Sequence, residues 1–129
     1  MEAMETPLAN SRKILVLLDN LFFAAKINQA AAQNGVNLIY AKTSDQAIEL
    51  AHLEKPDQII LDLDATKCSP LEFLARLKTG ADLQTVPTIG FVSHVNLDLQ
   101  QQAREAGCDR ILARSTFDKN LSTILSQIS

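Results

Sequence analysis

Residues 13–19 read Lys-Ile-Leu-Val-Leu-Leu-Asp, and residues 58–62 read Gln-Ile-Ile-Leu-Asp. Both are short, mostly apolar runs that end in an acid. Runs this short, with almost no polar positions, are typical of strands buried on both faces of a parallel sheet. Each run is followed by residues that begin helices. The sequence therefore predicts an alternating α/β domain.

The rest of the chain continues this alternation. Further strands are predicted at residues 37–41, 87–92 and 109–113. Helix starts are indicated by capping residues and a proline at the first helical position. The first and fourth helices begin after Asn20 and Asn96. The second begins at the capping box Thr43-Ser-Asp-Gln46, and the third at Ser69-Pro70 with Ser69 as the cap. A last helix is predicted over residues 117–128.

Five strands joined to five helices by short connections predict a doubly wound parallel sheet with helices on both faces. The fold class is flavodoxin-like α/β, with strand order 2-1-3-4-5. In such sheets a bound group lies at the carboxyl ends of the first and third strands. Asp19 and Asp62 stand at those two ends, so we expect them to share one crevice.

Composition limits the class of protein. The chain has 129 residues, of which 47% are apolar and 21% charged, which fits one globular domain. We expect residues 1–12 to form a flexible arm and residues 13–129 the domain. No apolar run suggests a signal peptide or a membrane span, so a cytoplasmic protein without membrane contact is expected. The net charge of −3 without a basic block disfavours nucleic-acid binding, and Cys68 and Cys108 lack metal-site spacing.

Several of these motifs resemble the receiver domains of bacterial two-component response regulators. They are residues 13–19, residues 56–62, Pro87 before the fourth strand and Ala106-Gly107 before the fifth. The resemblance covers residues 13–129. It implies that Asp62 accepts a phosphoryl group from a histidine kinase. It also implies a Mg²⁺ ion held by the acceptor, by an acid pair after the first strand and by a backbone carbonyl two residues after the acceptor.

The sequence departs from the family pattern at the implied metal site. Leu18 replaces the first acid of the pair, and Asp19 matches the second. The resemblance therefore implies Asp19, Asp62 and the carbonyl of Asp64 as ligands. Because Mg²⁺ is often held by one or two carboxylates and water, we expect weak binding.

Other family positions also differ. The hydroxyl expected near the end of the fourth strand aligns on Val92, with Ser93 as a neighbouring substitute, and the expected lysine aligns on Arg114. Ser115 follows Arg114 where the family usually has proline, and the aromatic switch position is Ile111. Asp64 and His94 occupy positions that tune dephosphorylation in the family. Since a guanidinium differs from an ammonium in shape, the resemblance implies an atypical, partly degenerate receiver.

The implied function is that of a stand-alone signalling module in a phosphorelay, without enzymatic activity beyond self-phosphorylation at Asp62. It would act by docking to a histidine kinase or another signalling protein. A homodimer is expected through the fourth helix, the fifth strand and the fifth helix. Candidate contacts on that face are Leu97, Leu99, Phe117 and Leu121, although apolar residues at helical spacing more often belong to the core.

Three alternatives stay open. The first is a constitutive pseudo-receiver scaffold that works without phosphorylation. The second is a small haloacid-dehalogenase-like phosphatase, because residues 59–66 fit its Asp-x-Asp-x-Thr motif, although the downstream acidic motif is missing. The third is a flavin- or nucleotide-binding domain, which Asn20-Leu-Phe-Phe23 disfavours because it is not a phosphate-binding loop.

Overall fold

A computed structural model describes residues 12–65, 67–93 and 96–126 of the chain. Most of the predicted N-terminal arm, residues 1–11, lies outside this part, whereas Arg12 begins the first strand. Thr66 of the phosphatase motif and His94 also lie outside it. Among the described residues, no helix combines the length and apolarity that a membrane span requires.

The described residues form one sheet and six helices. The strands are β1 (Arg12–Leu17), β2 (Val36–Ala41), β3 (Gln58–Asp62), β4 (Thr88–Val92) and β5 (Arg110–Ala113). The helices are α1 (Leu21–Asn34), α2 (Ser44–Glu54), α3 (Pro70–Thr79), α4 (Leu97–Glu105), α5 (Arg114–Lys119) and α6 (Leu121–Ser126). All strand pairs are parallel, in the order β2-β1-β3-β4-β5. The predicted fold class and strand order are confirmed.

The sheet separates two apolar cores. One core packs α2, α3 and α4 against the sheet and includes Phe73, Leu74 and Leu77, the predicted apolar stripe of α3. The other packs α1, α5 and α6 against the opposite face and includes Phe23 and Phe117. Because both faces are covered, the strands consist of apolar residues in nearly continuous runs.

The strand register places the site residues at one edge of the sheet. Leu17 pairs with Leu61, Asp62 pairs with Phe91, and Val92 pairs with Ala113. The residues that follow these strand ends therefore emerge side by side at the carboxyl edge. They include Asp19, Asp64, Ser93 and Arg114.

Two predicted helix caps differ in detail. Thr43 Oγ1 accepts a hydrogen bond from Gln46 N as predicted, but the Gln46 side chain accepts from Lys42 N at 2.8 Å instead of completing the box at Thr43. Ser69 precedes α3 with φ at 50°, and its side chain makes no capping hydrogen bond. Ser69 is the N-cap residue and Pro70 begins the helix as predicted, but the left-handed backbone of Ser69 does not direct its hydroxyl toward the first turn, as an extended cap residue would.

The single helix predicted at residues 117–128 was wrong. Helical structure begins earlier, at Arg114, and two helices, α5 and α6, replace it within the described residues. The early start has a local reason, since a residue that precedes proline disfavours helical backbone and Ser115 removes that restriction from Arg114. Arg114 is consequently the first helical residue after β5.

Candidate functional site

Asp62 is the buried centre of the candidate site. It ends β3, and its side chain is 4% exposed. Its Oδ1 atom accepts hydrogen bonds from Asp64 N at 3.1 Å and from Arg114 Nη2 at 3.2 Å. Burial raises the pKa of Asp62 above its ordinary value of 3.8, and the charge of Arg114 is the largest effect that opposes this rise. The guanidinium thus partly offsets the desolvation of the carboxylate.

Arg114 bridges two carboxylates. Its Nη2 atom also lies 3.0 Å from Asp64 Oδ2. The guanidinium carbon lies 5.2 Å from the ring centre of Phe91 and 5.6 Å from that of Phe23. These rings and Phe117 form one cluster, with centroid separations of 4.7 to 5.7 Å. Contacts between a cation and aromatic faces are favourable, so the cluster fixes the guanidinium over the α1 side of the site.

Asp64 connects the ends of three strands. Its Oδ2 atom accepts a hydrogen bond from the backbone amide of Ser93 at 2.7 Å, in addition to the contact with Arg114. The tuning role of its side chain stays a prediction, but its two partners are now defined. Both distances lie within the usual range of hydrogen bonds between a nitrogen donor and an oxygen acceptor.

Ser93 contributes its backbone to this arrangement. Val92 is fully buried and in register with Ala113, so the bulge that would bring the Ser93 side chain into the Val92 position is not formed. The Ser93 side chain instead borders a pocket of about 510 Å³ together with Arg114, Phe23 and the exposed Phe22. No residue pattern predicts the contact of the Ser93 amide, because the contact depends on where the β4 backbone ends.

Asp19 lies on the other side of Asp62. It is exposed, and its negative charge adds to the rise in the pKa of Asp62. Burial raises the pKa of the neighbouring Cys68 thiol to about 11, with further contributions from the charges of Asp19 and Asp62. Asp19 and Asp62 therefore follow or end adjacent strands at the same edge of the sheet and interact electrostatically, and the crevice between them stays a prediction. Leu18, at the position of the missing acid, is buried in the α1 core.

The residues present fit a weakly held Mg²⁺ ion. The Oδ2 atom of Asp62 makes no hydrogen bond to the described residues, and Asp19 is exposed at the same edge of the sheet. The described part of the chain contains no group of three His, Cys, Asp or Glu side chains suited to a metal. Two carboxylates with water molecules still satisfy the requirements of Mg²⁺, whereas Leu18 offers no oxygen.

Two of the four candidate contacts on the predicted dimer face are buried. Phe117 is fully buried and Leu121 is 6% exposed, so these two residues belong to the core, as their helical spacing indicated, and are not surface contacts. Both pack into the core under α5 and α6, where apolar residues at helical spacing face the sheet. Leu97 is exposed on α4, while Leu99 and the switch position Ile111 are half-buried.

Comparison with known proteins identifies the family. The model of the response regulator receiver domain matches residues 14–126. The chain belongs to the response regulator receiver domain family. The polar-differentiation response regulator DivK of Brucella abortus strain 2308 is 21% identical over 104 residues, covering 81% of this chain and 85% of that relative. DivK of Brucella anthropi is equally identical over 103 residues, which cover 80% and 84% of the two chains.

Solved structures show the same fold. A response regulator from Hahella chejuensis has a TM-score of 0.80 at 22% identity, covering 90% of this chain and 93% of that one. Chemotaxis response regulator CheY4 of Vibrio cholerae has a TM-score of 0.79 at 16% identity and covers 93% and 100%. The Mn²⁺-bound form of response regulator Rcp1 has a TM-score of 0.73 at 22% identity, with 91% of each chain covered.

Membership in this family decides between the classes of protein that the sequence left open, namely a receiver, a phosphatase and a flavin- or nucleotide-binding domain. The chain is a receiver domain of two-component signalling, a class of module that works through contacts with histidine kinases and other signalling proteins. The alternatives of a haloacid-dehalogenase-like phosphatase and a flavin-binding domain are not retained.

Proposed function

We propose that the domain is an atypical receiver in which Asp62 accepts a phosphoryl group and the modified chain acts by docking to another protein. The observation that supports this proposal is that the two carboxylate oxygens of Asp62 differ in their hydrogen bonds. Oδ1 is held by Arg114 and by the amide of Asp64. Oδ2 has no hydrogen bond to the described residues, which leaves it able to attack phosphorus.

In this reaction a lone pair of Asp62 Oδ2 attacks the phosphorus atom of a phosphohistidine or a small phosphodonor. The new bond joins this oxygen to phosphorus, the bond from phosphorus to the leaving nitrogen or oxygen breaks, and its electron pair stays with the leaving group. Arg114 neutralises charge on the carboxylate and orients it through Oδ1. A Mg²⁺ ion held by Asp19, Asp62 and the Asp64 carbonyl would supply further neutralisation of the phosphoryl oxygens.

The test is treatment with acetyl phosphate and Mg²⁺, followed by intact mass measurement. We expect the mass gain of one phosphoryl group in the native chain and none in Asp62→Asn. Asp98→Asn, which alters an exposed acid of α4, is the matched control and should react like the native chain. Equal modification of the native chain and Asp62→Asn would refute Asp62 as the acceptor.

The metal proposal has its own measurement. Mg²⁺ titration followed by NMR should shift signals of Asp19 and Asp62, and Asp19→Asn should weaken the response. A titration that leaves the signals of both residues unmoved would exclude this ion.

A phosphorylation-independent docking module is the second candidate. It is favoured by Leu18, which removes one metal ligand, and by the ion pairs of Arg114 with Asp62 and Asp64 in the unmodified chain. The two candidates differ in partner binding after phosphodonor treatment. A phosphoacceptor predicts a change that Asp62→Asn lacks, whereas a constitutive module predicts equal binding in all cases.

The proposed homodimer would now depend on Leu97. This side chain is 70% exposed on α4, and the buried Phe117 and Leu121 cannot contribute. Sedimentation of the native chain and of Leu97→Ser tests this contact, with Leu53→Ser as the control because Leu53 is equally exposed, at 72%, on α2. A dimer that persists in Leu97→Ser would place the interface elsewhere.

A further inference from the structure

We infer that the carboxylate of Asp64 is an internal substitute for a phosphoryl group, which joins the ends of β4 and β5 in the unmodified chain. This inference deepens the proposed function and rests on Asp62 as the site where a phosphoryl group would attach. It assigns to Asp64 a positioning role, in which the carboxylate holds the two strand ends together before phosphorylation.

The first support is the geometry of a single oxygen. Asp64 Oδ2 lies 2.7 Å from Ser93 N, directly after β4, and 3.0 Å from Arg114 Nη2, directly after β5. Asp64 itself follows β3. One anionic oxygen therefore links the ends of three adjacent strands through charge-assisted hydrogen bonds.

The second support is the identity of the two donor groups. Arg114 Nη2 also contacts Asp62 Oδ1 at 3.2 Å, so a phosphoryl group on Asp62 would enter the reach of this guanidinium. A bound oxyanion needs N–H groups that point toward it. The amide of Ser93 and the guanidinium of Arg114 are such groups, and both are already engaged by Asp64.

The third support is that Asp64 is held in place. The turn after β3 is closed by hydrogen bonds from Ala65 N to Asp62 O and from Asp64 N to Asp62 Oδ1, both at 3.1 Å. Leu63 N donates to Phe91 O at 3.0 Å, and the Leu63 side chain is buried against β4. The backbone that carries the Asp64 carboxylate is therefore held in place by these hydrogen bonds and by the packing of Leu63.

A regulatory consequence follows. A phosphoryl group on Asp62 can use these N–H groups only if it displaces the carboxylate of Asp64. The link between β4 and β5 therefore exists before modification, and phosphorylation exchanges one anion for another. We expect the unmodified chain to present the same β4–β5 edge to a partner as the phosphorylated chain.

The experiment compares the native chain with Asp64→Asn, which keeps the size of the side chain, and Asp64→Ala, which removes it. Amide hydrogen exchange at Ser93 is measured first without any phosphodonor. Loss of a hydrogen bond to a charged group predicts exchange roughly tenfold or more faster in Asp64→Ala, with a smaller change in Asp64→Asn. Asp118→Asn is the matched control, because Asp118 pairs with Lys26 beside the same pocket.

Beryllofluoride with Mg²⁺ is then titrated into each variant. Release of the two N–H groups predicts tighter binding in Asp64→Ala than in the native chain, again by roughly tenfold or more. Unchanged Ser93 exchange in both Asp64 variants, or weaker beryllofluoride binding in Asp64→Ala, would overturn the inference. If no variant binds beryllofluoride while Ser93 exchange still responds to Asp64, the link between strands stands and the phosphoacceptor function fails.

Discussion

Arg114 Nη2 and Asp62 Oδ1 lie 3.2 Å apart although 52 positions separate the two residues in the chain. The contact joins the end of β5 to the end of β3 across β4. It places a cation, 34% exposed, against a carboxylate that is nearly inaccessible to water. Burial raises the pKa of Asp62 and this ion pair lowers it, so the balance between the two effects sets the pKa of the carboxyl group.

Arg114→Gln should raise the pKa of Asp62 further, because the guanidinium is the largest effect that lowers it. At neutral pH the free energy of unfolding should fall by about 1 to 3 kcal/mol, less than for a fully buried pair since solvent screens the exposed part of Arg114. Carboxyl ¹³C titration and urea unfolding measure the two quantities. Arg110→Gln, an exposed arginine of β5, is the control. An unchanged Asp62 pKa would contradict the ion pair.

Asp62→Asn should increase stability at neutral pH. The folded-state pKa of Asp62 is raised by burial, so the folded chain holds this proton more tightly than the unfolded chain. Its contribution is fully present below the ordinary pKa of 3.8 and is lost as the pH rises through the folded value. The gain from Asp62→Asn should therefore shrink as the pH falls toward 3.8 in urea unfolding series. A gain that grows on acidification would have the wrong sign.

Gly90→Ala should destabilise the domain by about 1 to 3 kcal/mol, the usual range for overpacking. A Cβ atom on Gly90 would lie 2.6 Å from Leu63 Cδ1 and 3.2 Å from Cys108 Sγ. Leu63 lies between Asp62 and Asp64, so the same substitution should disturb their signals in NMR spectra. Leu63→Ala removes the nearest atoms and should make the Gly90→Ala change milder in a double-mutant cycle. Purely additive effects would argue against this contact.

Cys68 should react slowly with iodoacetamide in the folded chain. The difference between a pKa of about 11 and the ordinary value of 9.0 makes its thiolate fraction at pH 8 about a hundredfold smaller. The rate is measured in a Cys108→Ala background, with urea-unfolded protein as the reference. Because the folded pKa is raised, stability should also decline as the pH rises above 9.0. Rapid labelling of folded protein would show that Cys68 is accessible.

Local patterns in the sequence were sufficient for the strands and most helices. Asn20, Thr43 and Asn96 each accept a hydrogen bond from a backbone amide at the start of a helix, as their residue types indicate. Ser69 shows the limit of such signals, because its residue type fits a cap while its left-handed backbone prevents one. The helix that starts at Arg114 shows another limit, since the missing proline after this residue permits helical backbone without requiring it.

The sequence by itself determined the α/β alternation, the order of the strands and the placement of Asp19 and Asp62 at one edge, because alternating apolar runs and parallel crossovers allow few arrangements. Only the tertiary structure decided that Asp64 contacts the Ser93 amide and Arg114, and that Phe23 and Phe91 pack against the guanidinium. These contacts join residues far apart in the chain. They depend on side-chain directions and on the length of each strand, which packing sets and local sequence does not.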